Sequence, residues 1–337
     1  QKNDNYDSCL FLFQYRFPDN ITYDDAVNQI KSFIQNKDAD HTKLRSISSK
    51  VDNELKSYLK HFLSGIEIIE SMQGNKFNFK DCSIMNCIYA GAFLKFNRNI
   101  DMAARAIDKL FNLRGEVIPT SIENKKLVAQ RENGEMLFSE AEIVELRSNV
   151  RIDRIYLLDE LLDSEIFSKL NDEQKKFYLE NHHCYVGISS RAKMAIEQAD
   201  IIIYSAGTQH SSLYPTYLTV GLAKSIADNT KALKFFVTNI GADYETPMYK
   251  ASDYIKGAFK YLKLSDGRNY SYNDFFNYNF VNKSKNIDDT YVEIDNEELQ
   301  KIDVKHVIKT YESSSERGKH DGKILLDDII NIYTNQS

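Results

Sequence analysis

Apolar residues along this chain recur first at helical spacing and later in short continuous runs, and that change organises the whole reading. Behind Thr22, which suits an N-cap, Ala26, Ile30 and Phe33 predict a helix over Thr22 to Gln35. From about Val51 to Met72, Leu55, Leu59, Leu63 and Ile66 fall three or four apart and make one apolar stripe on a second helix. Ser83 to Phe96 (SIMNCIYAGAFLKF) is apolar nearly all round, which predicts a buried helix, and Asp101 to Phe111 follows as another. Leu10 to Phe17 (LFLFQYRF) is apolar and aromatic until Pro18-Asp19-Asn20 breaks it; so short a run does not separate a strand from a buried helix.

Beyond these helices the pattern turns to β. Gly115 to Thr120 (GEVIPT) and Lys126 to Gln130 predict short strands, Gly134 opens a turn and strand, and Ile143 to Leu146 extends that patch. From Ile152 strands and helices alternate: a strand at Arg154 to Leu158, a helix at Ser190 to Gln198, and a strand at Asp200 to Ser205 (DIIIYS) suited to burial on both faces. A polar loop from Gly207 to Tyr214 leads to a helix at Tyr217 to Asp228, a strand at Leu233 to Asn239 and a helix at Ser252 to Leu262. This alternation predicts a parallel sheet, whose ligands gather at the carboxyl ends of the strands, here 205–212 and 239–245. Residues 265–288, rich in Asn, Ser, Tyr and Phe with little periodicity, read as an insertion or long loop, and the tail ends in a strand or two and a helix at Lys323 to Tyr333. The expected organisation is a mainly helical segment, 1–80, before an α/β core, 81–337.

At 337 residues, 42% of them hydrophobic, the chain can bury a sizeable core. Its net charge is -6, with Lys and Arg interspersed among Asp and Glu, which argues against nucleic acid as a partner. Gln1 to Asn5 show no signal-peptide core and no run of eighteen apolar residues follows, so no membrane partner and a cytoplasmic location are expected. The cysteines, Cys9, Cys82, Cys87 and Cys184, form no CxxC pair; Cys82 and Cys87 read as inert thiols on an apolar helix.

The segment Ser205 to Pro215 carries the densest chemistry: Gly207, Thr208, His210, Ser211 and Ser212 follow a buried strand. Backbone N–H groups in a glycine-containing turn at a helix start can hold phosphate oxygens, and hydroxyls add donors; equally, such hydroxyls can simply cap the next helix. Neither a P-loop nor a GxGxxG spacing is present. His210 as an acid, base or phosphate donor needs a partner that the sequence does not name, and a solvent-facing role is the alternative. Asp81 or Ser83 can cap the helix that follows; Asn86, one turn in, reads as a buried amide in need of a ligand or backbone partner. Asp243 and Glu245 could contact a cation or substrate hydroxyls, or belong to a solvated loop. His182, His183 and Cys184 are poorly placed to share one zinc, and His320-Asp321 reads as a turn before the last helix.

Six segments in order resemble one family. DCSIMN (81–86) is similar to a His-Ser-x-Gly-Asn motif, GEVIPTS (115–121) to a Gly-x-Val-Leu-Pro-Val-Thr strand, and ENGEMLFSEAEI (132–143) to the segment after it. EQADIIIYSAGTQHSSLYPTYLTVGLAKSI (197–226) resembles Ala-Asp-Leu-Ile-Val-x-Gly-Pro-Gly-Ser-x-Tyr-Thr-Ser-x-Leu-Pro and its following helix. FFVTNIGADYET (235–246) is similar to Val-x-Asn-x-x-x-Gln-x-Gly-Glu-Thr, and GKHDGKILLDDI (318–329) to a closing His-Asp-Pro helix. The family they resemble is the 2-phospho-L-lactate transferase (CofD-like) family, including its gluconeogenesis-factor (YvcK-like) branch. The resemblance implies an α/β, three-layer Rossmann-like fold with a mainly parallel sheet, and as partner a nucleoside diphosphate or nucleotide-linked small molecule. In the transferase branch a guanosine-diphosphate-activated phospholactate is attacked by a deazaflavin hydroxyl with magnesium (Mg2+) assisting; the other branch binds nucleotide sugars in a regulatory role. Asn86, Gly207, Thr208, Ser211, Ser212 and Asn239 match the family's motif positions and are the expected nucleotide and phosphate contacts, with His210 beside them. The family's opening Gly-Gly-x-Gly loop and Asp-x-Gly-Gly-Ser segment have no counterpart before residue 81; Met85 stands where Gly is expected, Ser205 replaces a Gly, and His210 replaces a Tyr. Transfer of a phospholactyl-type group is thus the leading expectation, with nucleotide-sugar regulator and scaffold with a decayed site as alternatives, and a homo-oligomer compatible with each.

Overall fold

The computed structural model describes residues 6–35, 49–284, 288 and 290–335. Gln1 to Asn5 and part of the expected insertion, 285–287, lie outside the described residues. The chain divides into two compact units, Gln1–Ile122 and Glu123–Ser337. The division falls after residue 122 rather than at 80 because the apolar stripe of the long third helix finds its cover in the two helices that come after it.

The first unit holds α1 (Tyr6–Gln14), α2 (Tyr23–Gln35), α3 (Ser49–Gln73), α4 (Ile84–Lys95) and α5 (Ile100–Phe111). Leu55, Leu59, Leu63 and Ile66 are buried as the stripe predicts, joined by Tyr58 and Phe62, against Ile84, Ile88 and Ala92 of α4 and Ile107 of α5. The undecided run 10–17 resolves as helix to Gln14, after which Arg16 pairs in extended form with Ser83. Gly115 to Thr120 forms no strand. No partner strand lies beside it among the described residues, and Val117 N–H instead donates to the Asp108 carboxylate at 2.8 Å. Gly91 lets α3 and α4 approach closely: a Cβ there would lie 1.8 Å from the Tyr58 carbonyl oxygen.

In the second unit β1 (Lys126–Arg131), β2 (Met136–Leu137) and β3 (Ile152–Leu158) form an antiparallel sheet in the order β2-β1-β3. The strand expected at 154–158 therefore belongs to this small sheet, not to the parallel one. Ile143 to Leu146 does not extend it: Ser139 accepts from Glu142 N–H at 3.2 Å, and the Glu142 carboxylate reaches back to Phe138 N–H at 2.7 Å. This Ser-x-x-Glu exchange starts helix α6 (Glu140–Glu145). Helices α7 (Ser164–Ser168) and α8 (Asp172–His182) cover the outer face, and α9 (Ser190–Gln198) leads into the parallel sheet.

That sheet runs β4 (Ile201–Tyr204), β5 (Leu233–Val237), β6 (Tyr278–Asn282) and β7 (Lys305–Lys309), all parallel and in chain order. β4 is an edge strand and Ile203 is 42% exposed, so it is not buried on both faces as its composition suggested. β6 corrects the expected insertion. All five of its residues are buried, and a strand covered on both faces shows no alternation to find. Phe235, Tyr278 and Phe280 point to one face, beneath α15 (Gly322–Thr334). Phe236 and Val281 point to the other, beneath α10 (Tyr214–Tyr217), α11 (Leu222–Asp228), α12 (Ala251–Leu264) and α13 (Tyr272–Phe275). A sheet between two helical layers is the three-layer α/β fold, completed by the short α14 (Asn296–Leu299). The helix expected over 217–228 begins only at Leu222, because Gly221 takes φ +91° just before it, and Tyr217 closes the separate α10.

Gly91→Ala is expected to destabilise the first unit by about 1–3 kcal/mol, since the new methyl meets backbone rather than a movable side chain. Denaturant unfolding measures this, and an unchanged midpoint would show that α3 and α4 pack less closely than described.

Candidate functional site

Because β4 and β5 are neighbours in a parallel sheet, the segments that leave their carboxyl ends share one rim. Two side chains from beyond β5 hold the segment beyond β4 in place. Asn239 accepts from Gly207 N–H at 3.1 Å and donates to the Gly207 carbonyl at 3.0 Å, fixing the turn in both directions. Glu245 accepts from the N–H groups of His210 and Ser211 at 2.8 and 2.9 Å through one oxygen and from the Ser211 hydroxyl at 2.5 Å through the other. The residues it caps, Gln209–Leu213, form a π-helical turn rather than the expected polar loop. Leu213 N–H donates to the Thr208 carbonyl at 3.1 Å, and Gln209 Nε2 to the Gly207 carbonyl at 2.7 Å.

The turn brings three hydroxyls together. Thr208 Oγ1 lies 2.7 Å from Ser212 Oγ and 3.1 Å from Ser211 Oγ; the single Ser211 proton lies on the shorter bond to Glu245, so within the cluster Ser211 is an acceptor. Thr208 and Ser211 are half-buried and Ser212 is exposed, so the cluster faces outward from a fixed base. The His210 and Ser211 N–H groups expected to face a phosphate are taken by Glu245, as is the Ser211 hydroxyl, which leaves Thr208 and Ser212 as the outward hydroxyls.

Glu245 is 1% exposed and so is not a solvated loop residue. Burial raises its pKa, the three donors pull the other way, and nearby Asp243 adds to the rise. Asp243, half-buried, accepts Glu245 N–H at 3.0 Å. His210 is likewise 1% exposed, with Tyr214 edge-on at 4.9 Å and Tyr249 at 6.1 Å. Desolvation, aided by Lys260, pushes its pKa down to about 3, so it is a neutral wall residue, and its burial excludes the solvent-facing alternative. Its Nδ1 finds no partner among the described residues, nor do Gln209 Oε1 and the hydroxyls of Tyr204 and Tyr214. Tyr214 stacks on Tyr261 at 4.3 Å, over Gly257, where a Cβ would lie 2.0 Å from the Tyr214 oxygen.

Gly207, Thr208, His210, Ser211, Ser212, Asn239, Asp243 and Glu245 thus lie together on this rim. Asn86 does not share their unit: it stands in the first turn of α4 in the helical unit, exposed rather than a buried amide. Ser83, not Asp81, caps that helix by accepting from Met85 N–H at 3.2 Å. His183 accepts from Leu157 N–H at 3.1 Å, Cys184 donates to Asp159, and no group of three or more His, Cys, Asp or Glu able to hold a metal occurs among the described residues. Asp321 caps α15 and His320 hydrogen-bonds the Thr238 backbone, as a turn before the last helix requires. Gln209, Tyr249 and Tyr261 were missed; their contribution is packing behind the turn, for which a motif gives no signal.

A family model described as 2-phospho-L-lactate transferase CofD matches residues 7–314. A Thermotoga maritima relative, named as a candidate gluconeogenesis factor, is 30% identical over 193 residues, covering 56% of this chain and 51% of its own. The Bacillus subtilis gluconeogenesis factor is 24% identical over 206 residues, 59% of this chain and 56% of its own. The chain therefore spans about half the length of the curated relatives it matches. Two crystal structures of a Bacillus halodurans protein, one described as a member of the UPF0052 family, superpose with TM-scores of 0.58 and 0.57 at 18% and 19% identity. Each covers 78% of this chain, with 78% and 77% of the other covered in turn, a likeness that shows the fold.

A neutral His210 stabilises the fold fully above pH 6.5, and that contribution is lost as the pH falls towards about 3, because the unfolded chain takes up a proton that the folded chain refuses. His210→Gln is expected to flatten the dependence of stability on pH between about 6 and 4 by about 1.4 kcal/mol per pH unit, the linkage of one proton. Urea unfolding across that range checks it; an unaltered slope would mean that His210 is hydrated.

Proposed function

We propose a nucleotide-binding function for this protein, and the premise is that the chain belongs to the 2-phospho-L-lactate transferase CofD family. The observation that carries it is the pair of outward hydroxyls, Thr208 and Ser212, on the carboxyl rim of β4 and β5, seated on a turn that Asn239 ties at Gly207 and Glu245 ties at Ser211. Diphosphate oxygens accept from hydroxyls, and a donor set fixed before the ligand arrives loses little entropy on binding. A nucleoside diphosphate or nucleotide-linked small molecule is the ligand class this favours.

Binding and regulation fit the site better than transfer. Of the side chains able to move a proton, His210 and Glu245 are buried, one held neutral and the other engaged by three donors, which leaves the half-buried Asp243. The gluconeogenesis-factor names of the curated relatives support the same reading. Group transfer from a nucleoside-diphosphate-activated phosphorylated substrate is the second reading, favoured by the description of the family model. Its demand on the hydroxyl cluster is stabilisation of charge built up on the transferred group. Among the described residues no side-chain cluster makes a magnesium cage, but magnesium commonly binds through one or two carboxylates together with substrate phosphates. Asp243 is the residue that would hold it, so the ion belongs to the proposal as a companion of the diphosphate.

Calorimetric titration with GDP, UDP and UDP-N-acetylglucosamine, each with and without magnesium, tests the proposal. Thr208→Ala and Ser212→Ala are each expected to weaken binding about tenfold, or about 1.4 kcal/mol, and Asp243→Asn to abolish any magnesium dependence. Wild-type affinity in both hydroxyl variants would place the ligand elsewhere. Release of a nucleotide from an activated substrate, dependent on an added hydroxyl acceptor, would favour transfer over regulation.

A further inference from the structure

We propose that Cys82 and Cys87 are a redox-sensitive pair that a peroxide converts into an intrachain disulfide. This stands apart from the nucleotide reading and needs no ligand.

Helix capping brings the two thiols together. Ser83 is the N-cap of α4, so Cys82 is the residue before the cap and Cys87 is the fourth of the helix. Those two positions meet in a capped helix and usually hold an apolar pair that staples the chain entering it. Here both members of the staple are cysteines, with their Sγ atoms 3.8 Å apart. The backbone around Cys82 is tied from both sides. Its N–H donates to the Phe79 carbonyl and its carbonyl accepts from Phe17 N–H, each at 3.0 Å, while Ile84 N–H donates to the Tyr15 carbonyl at 3.1 Å. The sulfurs are therefore held as neighbours, and side-chain rotation is what must close the distance to the ~2.05 Å of a disulfide.

The two thiols differ in the way such a reaction needs. Cys82 is half-buried and open to a small oxidant, whereas Cys87 is 1% exposed. The Cys87 S–H donates to Cys82 and favours its thiolate, burial opposes this, the Arg16 guanidinium assists, and Asp81 opposes; the outcome is a Cys82 pKa lowered to about 7. Asp81 itself is engaged by Arg16 at 2.7 Å, which places that cation beside the thiol. Cys9 and Cys184 have their pKa values raised, chiefly by burial, and so are weaker nucleophiles at neutral pH.

In the first step the Cys82 thiolate attacks one oxygen of hydrogen peroxide; the O–O bond breaks, giving a sulfenic acid and hydroxide. In the second, Cys87 sulfur attacks Cys82 sulfur, the S–OH bond breaks, and water leaves with the Cys87 proton. Two electrons pass from the thiols to the peroxide, and an external dithiol returns them. The product is a ring closed within residues 82–87, which fastens the first turn of α4 to the segment before it.

The test treats the reduced full chain with hydrogen peroxide, blocks the remaining thiols with N-ethylmaleimide and digests with trypsin. Both cysteines lie in one tryptic peptide, 81–95. That peptide is expected two hydrogens lighter than its reduced form and unalkylated, and to regain two alkylation sites after dithiothreitol, with Cys9 and Cys184 still alkylated. Cys87→Ser is expected to stop at a Cys82 sulfenic acid that dimedone traps. Recovery of wild-type peptide 81–95 alkylated at both cysteines, or with Cys82 overoxidised and no cross-link, would overturn the proposal.

Discussion

One buried carboxylate organises the candidate site. Removing Glu245 from water costs several kcal/mol, and the structure offsets that cost with two backbone N–H groups and a hydroxyl, all charge-assisted donors. The same three bonds join the segment after β5 to the turn after β4, so the cost of burial and the shape of the rim are one fact. Truncating the side chain would leave two peptide N–H groups without partners in a dry interior, at about 1–3 kcal/mol each. Asn239 adds a second tie, to Gly207, and between the two ties the turn is left a single arrangement.

Behind the rim, polar side chains do what apolar packing cannot. Thr238 donates to Asn279 in the next strand at 2.9 Å, Asn279 contacts His306 of β7 at 3.2 Å, and His306 reaches the Leu299 carbonyl at 2.8 Å. A buried chain that crosses three strands fixes their relative register, because a slip would strand every member of it. The end of β5, from which Asn239 and Glu245 depart, is thus anchored to the centre of the sheet. The aromatic wall of Tyr214, Tyr249 and Tyr261 closes the other side and keeps His210 neutral.

What the sequence made legible follows the same physics. The stripe Leu55, Leu59, Leu63 and Ile66 announced α3 because one face of that helix is wet. β6 was hidden because all of its residues are buried, and its Asn279 and Asn282 look like loop residues until their partners are seen. The Ser139-x-x-Glu142 start of α6 was present to be read and was passed over for the β-character of Ile143 to Leu146. The rim residues Gly207, Thr208, Ser211, Ser212 and Asn239 were found through the family resemblance and strand topology. The bonds that engage Glu245 were not, since no spacing in a chain states which of two loops caps the other. Asn86, expected as a buried amide, is exposed on α4, because an isolated polar residue in an apolar run gives no sign of which face of the helix it occupies.

We propose that ligand binds at the tied rim. Amide hydrogen exchange with and without a saturating nucleoside diphosphate measures this most directly. Slowed exchange is predicted in both segments of the rim, 205–215 and 239–246, and together, because Glu245 and Asn239 couple them. Protection confined to other parts of the chain, with both rim segments unchanged at saturation, would contradict it.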